Sequence, residues 1–106
     1  NLYEPVFIFG LNSDTVLNKK VPLSIKISNF GEKIYDATLR VVVKNEKNNV
    51  VMERNFSGLH LEGKNALNNI CSITTNQIEK GLLSIEYHLS HKNKLIAKSM
   101  ELFYSE

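Results

Sequence analysis

Tryptophan is absent from the 106 residues, cysteine occurs once and proline twice, and no apolar run approaches the roughly 18 residues that a membrane-crossing helix requires. Each shortage excludes something. With Cys71 as the only thiol, no intrachain disulfide can form, and without tryptophan the Cys, Trp, Cys core of antibody domains has no counterpart. Positive charge is scarce as well: 13 Lys and Arg against 11 Asp and Glu leave +2 with neutral histidines, and the cations are scattered among the acids. A nucleic-acid partner would call for a basic stripe, so none is expected. Phosphate-cradling glycine loops are missing, and no basic start followed by an apolar core marks a signal peptide. No window of helical length sustains an apolar period of about 3.6 residues, and the nearest approach is residues 62–69, where Leu61, Ala66 and Ile70 suit one or two helical turns.

What is present is ordinary for a globular chain: 42% apolar and 23% charged residues. At 106 residues the chain makes one domain, 1–106, able to bury about 65% of its unfolded surface without a metal or a disulfide. It opens on Asn1 rather than methionine, which suits a fragment of a larger multidomain protein.

The strongest local pattern lies near the end. Leu83, Ile85, Tyr87 and Leu89 alternate with Ser84, Glu86, His88 and Ser90, a polar turn follows, and residues 95–104 return. A strand has a side-chain period of two, so this reads as a β-hairpin with one buried face. With the turn centred on Lys92 and Asn93, Leu83 opposes Leu102, Ile85 opposes Met100, Tyr87 opposes Lys98 and Leu89 opposes Ile96. The other face then pairs Ser84 with Glu101, Glu86 with Ser99 and His88 with Ala97. In that register Lys98 is the misfit, its stem laid along the Tyr87 ring. Burying the four apolar side chains of the first strand contributes roughly 1.5–3 kcal/mol each, and only further strands can cover them.

Earlier in the chain, Pro5 and Gly10 bracket Val6, Phe7, Ile8 and Phe9 as an edge strand, and residues 11–20 read as a loop with a strand fragment conceivable at 15–17. Val21, Leu23, Ile25 and Ile27 alternate with Pro22, Ser24, Lys26 and Ser28 up to a stop at Asn29, Phe30 and Gly31. Leu39, Val41 and Val43 form the next buried set, residues 44–49 turn the chain and residues 50–56 return, with Val43 opposite either Val50 or Met52. Between Leu59 and Ile73 the pattern weakens, and short strands are expected at 59–61 and 67–73, then a connection over 74–80. About seven antiparallel strands with turn signals every ~8–12 residues define an all-β, immunoglobulin-like β-sandwich.

Reactive constellations are sparse. Glu86 and Glu101 share the outer hairpin face in the expected register, near enough for a glycosidase-like pair, yet no apolar pocket is visible to raise either pKa. His60, His88 and His91 lack a metal-ligand spacing, Cys71 lacks the company of a nucleophile, and Asn55, Phe56 and Ser57 form a glycosylation acceptor of low specificity. Tyr3, Phe30, Tyr35 and Tyr104 are the aromatics that a sugar platform would use, and each is expected to pack at a core edge or a turn. No catalytic, cofactor-binding or metal-binding residue is assigned, and no cofactor is called for.

Several segments together resemble the immunoglobulin-like accessory domains that follow the catalytic portions of bacterial glycoside hydrolases of the family 2, beta-galactosidase-like group. The resemblance is carried by Pro5, Val6, Phe7 and Ile8, by Ile25 through Gly31, by Asp36, Ala37, Thr38 and Leu39, by Leu82 through Leu89, and by Leu95 through Tyr104. Those domains commonly have an asparagine and a tryptophan in the last strand, where this chain has Lys98, Ser99 and Met100. The resemblance implies a non-catalytic module of a periplasmic, secreted or cell-surface carbohydrate-degrading enzyme, packed on neighbouring domains of the same polypeptide and meeting polysaccharide through the parent enzyme. The paired acids of such enzymes belong to another domain. Two other classes share the sandwich: a cell-surface adhesion module, marked by tandem copies, and a protease inhibitor, which would need an inserting loop such as residues 45–49.

Overall fold

A computed structural model of the chain describes residues 6–10, 16–17, 23–73 and 80–105. Its strands are β1 (Val6–Phe9), β2 (Val16–Leu17), β3 (Leu23–Asn29), β4 (Ile34–Lys44), β5 (Val50–Leu61), β6 (Ala66–Ile73), β7 (Gly81–His91) and β8 (Lys94–Ser105). They form a three-stranded sheet in the order β1-β3-β6 and a five-stranded sheet in the order β2-β8-β7-β4-β5. Seven strands pair antiparallel, and β2 adds a short parallel edge along the end of β8. The architecture is an immunoglobulin-like β-sandwich, and no helix occurs among the described residues.

Alternation explains the core. Ile25 and Ile27 of β3, Leu39, Val41 and Val43 of β4, and Leu83, Ile85, Tyr87 and Leu89 of β7 all point inward and are buried, joined by Val6 and Ile8 from β1 and Phe103 from β8. The expected edge strand at the start is β1, although Pro5 lies outside the described residues, as do Val21, Pro22 and the connection at 74–79. The strand fragment weighed at 15–17 is present as β2. Residues 62–69 form no helical turn, because Ala66 onward pairs with β3 from Asn29 to Leu23.

Two bulges alter what the pattern leads one to expect. On β5, Ser57 and Gly58 stand against Thr38 alone, with Gly58 at φ 67, so residues 59–61 continue β5 instead of forming a separate strand. On β8, the turn at Lys92 and Asn93 (φ 54 and 63) sets His91 opposite Lys94 and Ser90 opposite Leu95 as expected, but Ile96 is then an extra residue and Leu89 meets Ala97. From there Tyr87 opposes Ser99, Ile85 opposes Glu101 and Leu83 opposes Phe103. The expected register therefore fails beyond the turn, and the faces of β8 exchange: Phe103 is buried, while Met100 and Leu102 face out. Lys98 lies opposite His88 on the outer face, not on the Tyr87 ring. The choice left open for β4 resolves as Val43 opposite Met52.

Polar contacts tie the sheets at two places. The Ser99 hydroxyl donates to the Ile8 carbonyl (2.9 Å) and the Gly10 N–H donates to Glu101 Oε1 (2.9 Å), which clasps β1 onto the inner face of β8. At the end of β3, buried Asn29 donates from Nδ2 to the Glu32 carbonyl (2.8 Å) and accepts the Gly31 N–H at Oδ1 (3.0 Å). The backbone of Lys64 and Asn65 donates to the carbonyls of Gly31 and Asn29, and a Cβ at Gly63 would stand 2.3 Å from the Gly31 oxygen, so only glycine fits this crossing.

Candidate functional site

The bulge at Ile96 brings the apolar side chains of β8 to the surface. Across the outer face of the five-stranded sheet the register sets Arg40, His88 and Lys98 in one row, Val42, Glu86 and Met100 in the next, then Lys44, Ser84 and Leu102, and finally Leu82 beside Tyr104. Directly opposed residues share a face, so Met100, Leu102, Tyr104 and Leu82 form one continuous apolar surface. They are 59%, 55%, 53% and 46% exposed, which is unusual for four large side chains in mutual reach. At its Leu82 end an open depression is lined by Asn45, Glu46, Lys47 and Lys80.

The neighbouring half of the same face is built from ion pairs. Arg40 meets Glu53 through Nε and Nη2 (3.0 and 3.3 Å), and Lys44 meets Glu86 at 2.8 Å. Arg40 and Lys44 flank Val42 on the same face of β4 and Glu53 and Glu86 oppose it, and Val42 points outward yet is only 3% exposed. The hydrogen bond from Lys44 holds the Glu86 carboxyl below its ordinary range, opposed by partial desolvation and aided by His88, whose Nε2 lies 3.5 Å from Glu86 Oε1. Glu53 is lowered in the same direction, first by Arg40 and then by Asn55.

The other residues singled out by sequence do not converge. Glu86 opposes Met100 on the outer face, whereas Glu101 opposes Ile85 and reaches Gly10 between the sheets, so the two carboxylates lie on opposite sides of the sheet and form no pair. His60 accepts the Asp36 N–H at Nδ1 (3.4 Å), His88 sits beside Glu86, and His91 faces Lys94 at the hairpin turn. Among the described residues no three His, Cys, Asp or Glu side chains gather where a metal ion could bind. Cys71 occupies β6 opposite Ile25, and its side chain lies outside what is described. Asn55 is exposed on the edge strand β5 and donates to Glu53 Oε2.

Phe30, Tyr35 and Tyr104 are all half exposed or more, and Tyr3 lies outside the described residues. Phe30 stacks edge-on with Phe7 (5.6 Å), Tyr35 takes the Lys33 ammonium over its ring (4.9 Å) and His60 at its edge, and Tyr104 belongs to the apolar face. The turn at 45–49 is closed on itself: Asn45 Oδ1 accepts from the N–H groups of Lys47 and Asn49, both at 3.0 Å.

Comparison with known proteins places the fold. No protein-family model matches the sequence, and no curated protein matches it either. Among solved structures, the chain is similar to one from Bacteroides fragilis assigned as a beta-galactosidase, with a TM-score of 0.53 and 14% identity over 94% of this chain and 16% of that one. It is similar also to a beta-glucuronidase of glycoside hydrolase family 2, with a TM-score of 0.52 and 12% identity over 92% of this chain and 11% of that one. The chain thus spans less than a fifth of either neighbour's length.

Proposed function

We propose that the chain is a non-catalytic module of a larger carbohydrate-degrading glycoside hydrolase, and that it packs against or positions the catalytic domain. The observation that carries this reading is the correspondence of nearly the whole chain to a small share of two glycoside hydrolases. The face at Leu82, Met100, Leu102 and Tyr104 supports it, since a module that works by packing needs an apolar surface beyond its own core. Export to the periplasm or cell surface and access to polysaccharide through the parent enzyme belong to the same proposal. The test is to express the full-length gene product and assay it on aryl β-galactosides and β-glucuronides, with and without residues 1–106. Hydrolysis that survives in a less heat-stable form after the deletion is the expected result. A full-length product that cleaves no glycoside, or one made of repeated sandwiches, would remove the reading in favour of adhesion.

A further inference from the structure

We propose that the outer face of the β7–β8 hairpin is the docking surface of this module, and that its occupant is a surface of another domain of the same polypeptide with an apolar centre and carboxylates at its rim. That the polypeptide carries further domains and is a glycoside hydrolase rests on the reading above; the face and the charge of its partner do not.

Three observations single out the face and its occupant. The sheet has the means to cover outward apolar groups, as Val42 shows between the Arg40–Glu53 and Lys44–Glu86 pairs, yet two strands away Met100, Leu102 and Tyr104 stand uncovered beside Leu82. Methionine and tyrosine at the centre of a patch are the residue types that interface cores favour. Around it stand Lys44, Lys47, Lys80 and Lys98 against Glu46 and Glu86, and Glu86 is already engaged by Lys44 and His88. Among the described residues Lys47, Lys80 and Lys98 make no ion pair, against one unpaired acid, Glu46, so the uncompensated charge at the rim is positive and carboxylates are its complement.

The same charges argue against a second copy. A twofold contact through this face would set two net-positive rims against each other. Another exposed apolar group, Phe7, Phe30 and Leu67 on the three-stranded sheet, shares its face with Lys26, a further cation and not the carboxylate this rim would need.

Met100 supplies its own probe, because thioether oxidation follows access and Met52, half buried against the core, is an internal reference. The full-length polypeptide would be treated with dilute hydrogen peroxide and both methionines followed by peptide mass spectrometry. Met100 should oxidise on the order of tenfold more slowly in the native chain than in one carrying Leu102→Lys. Lys98→Glu should speed its oxidation and Lys98→Arg should not. Met100 that oxidises at the rate of a solvent-exposed methionine in the native full-length chain overturns the proposal. So does protection that grows with protein concentration, which means a second copy, or protection that appears only with phosphatidylglycerol vesicles, which means a membrane. Glycosidase activity measured on the same sample keeps the two readings apart: protection without hydrolysis removes the enzyme class and leaves the docking face, and hydrolysis with an open Met100 does the reverse.

Discussion

The two halves of one sheet face solve the same problem in opposite ways. Along β4 and β5, the outward Val42 is sealed by the stems of Arg40 and Lys44, held in place by Glu53 and Glu86, and the solvent meets charge. Along β8 and the start of β7, Met100, Leu102, Tyr104 and Leu82 meet the solvent themselves. Both halves belong to the same five strands, so twist and strand order do not separate them. The difference lies in side chains alone: a β-sheet imposes no exposed apolar patch, and one that persists beside a finished polar cover is the feature on which the proposed contact rests.

The largest effects should separate the two sides of β8. Phe103→Ala removes an inward ring that is 1% exposed, and should cost about 3–5 kcal/mol in urea unfolding. Leu102→Ala, one residue away but outward, should stay within about 0.5 kcal/mol in the isolated chain. A larger loss at Leu102 than at Phe103 would mean that the faces of β8 are the reverse of those set by the bulge at Ile96.

Val42→Ala tests the sealed half. It deletes two carbons that are outward yet covered, and at roughly 0.8 kcal/mol per buried carbon the loss should be about 1.6 kcal/mol. A loss no greater than that of Leu102→Ala would show that the ion-pair stems do not exclude water, and the contrast between the halves would vanish. Ser99→Ala should lose about 1 kcal/mol by breaking the clasp to Ile8 while leaving the outer face alone. Hydrogen exchange at the β1 amides should then quicken more than exchange along β4.

The sandwich itself was legible in the alternation of Ile25 with Ile27, of Leu39 through Val43 and of Leu83 through Leu89, because a half-buried strand can place its apolar set on one side only. The docking face was not. On β8 both parities are apolar in part, Phe103 and Ala97 on one and Met100 and Leu102 on the other, so the period of two does not choose between them. Ile96 and Ala97 are buried in succession where Leu89 passes from Ile96 to Ala97 as its partner, and the bulge permits it. One signal was available: the unbulged register put Lys98 in the core opposite Tyr87, and a buried, unpaired lysine is expensive enough to reject a register. The clasp of Ser99 and Glu101 to β1 needed that correction first, since both read as outer-face residues until the faces exchange.

The smallest effect concerns the ion pair at the boundary between the halves. Lys44 lowers the Glu86 pKa in the folded state, so Glu86 binds its proton less readily folded than unfolded. The resulting stability is present above the ordinary glutamate value of about 4.3 and is lost as pH falls through the lower folded value. Wild type should therefore exceed Glu86→Gln in stability at pH 6, and the gap should narrow as acidification to about pH 3 carries the solution toward the lowered folded value, below which both carry a neutral side chain at this position. Partial exposure keeps the gap small, and 0.5 M salt should shrink it further. Chemical denaturation of both proteins at pH 6 and pH 3 reads it directly. A gap that stays constant with pH would mean that Glu86 acts through packing over Val42 rather than through charge, and the sealed half would then owe its cover to shape alone.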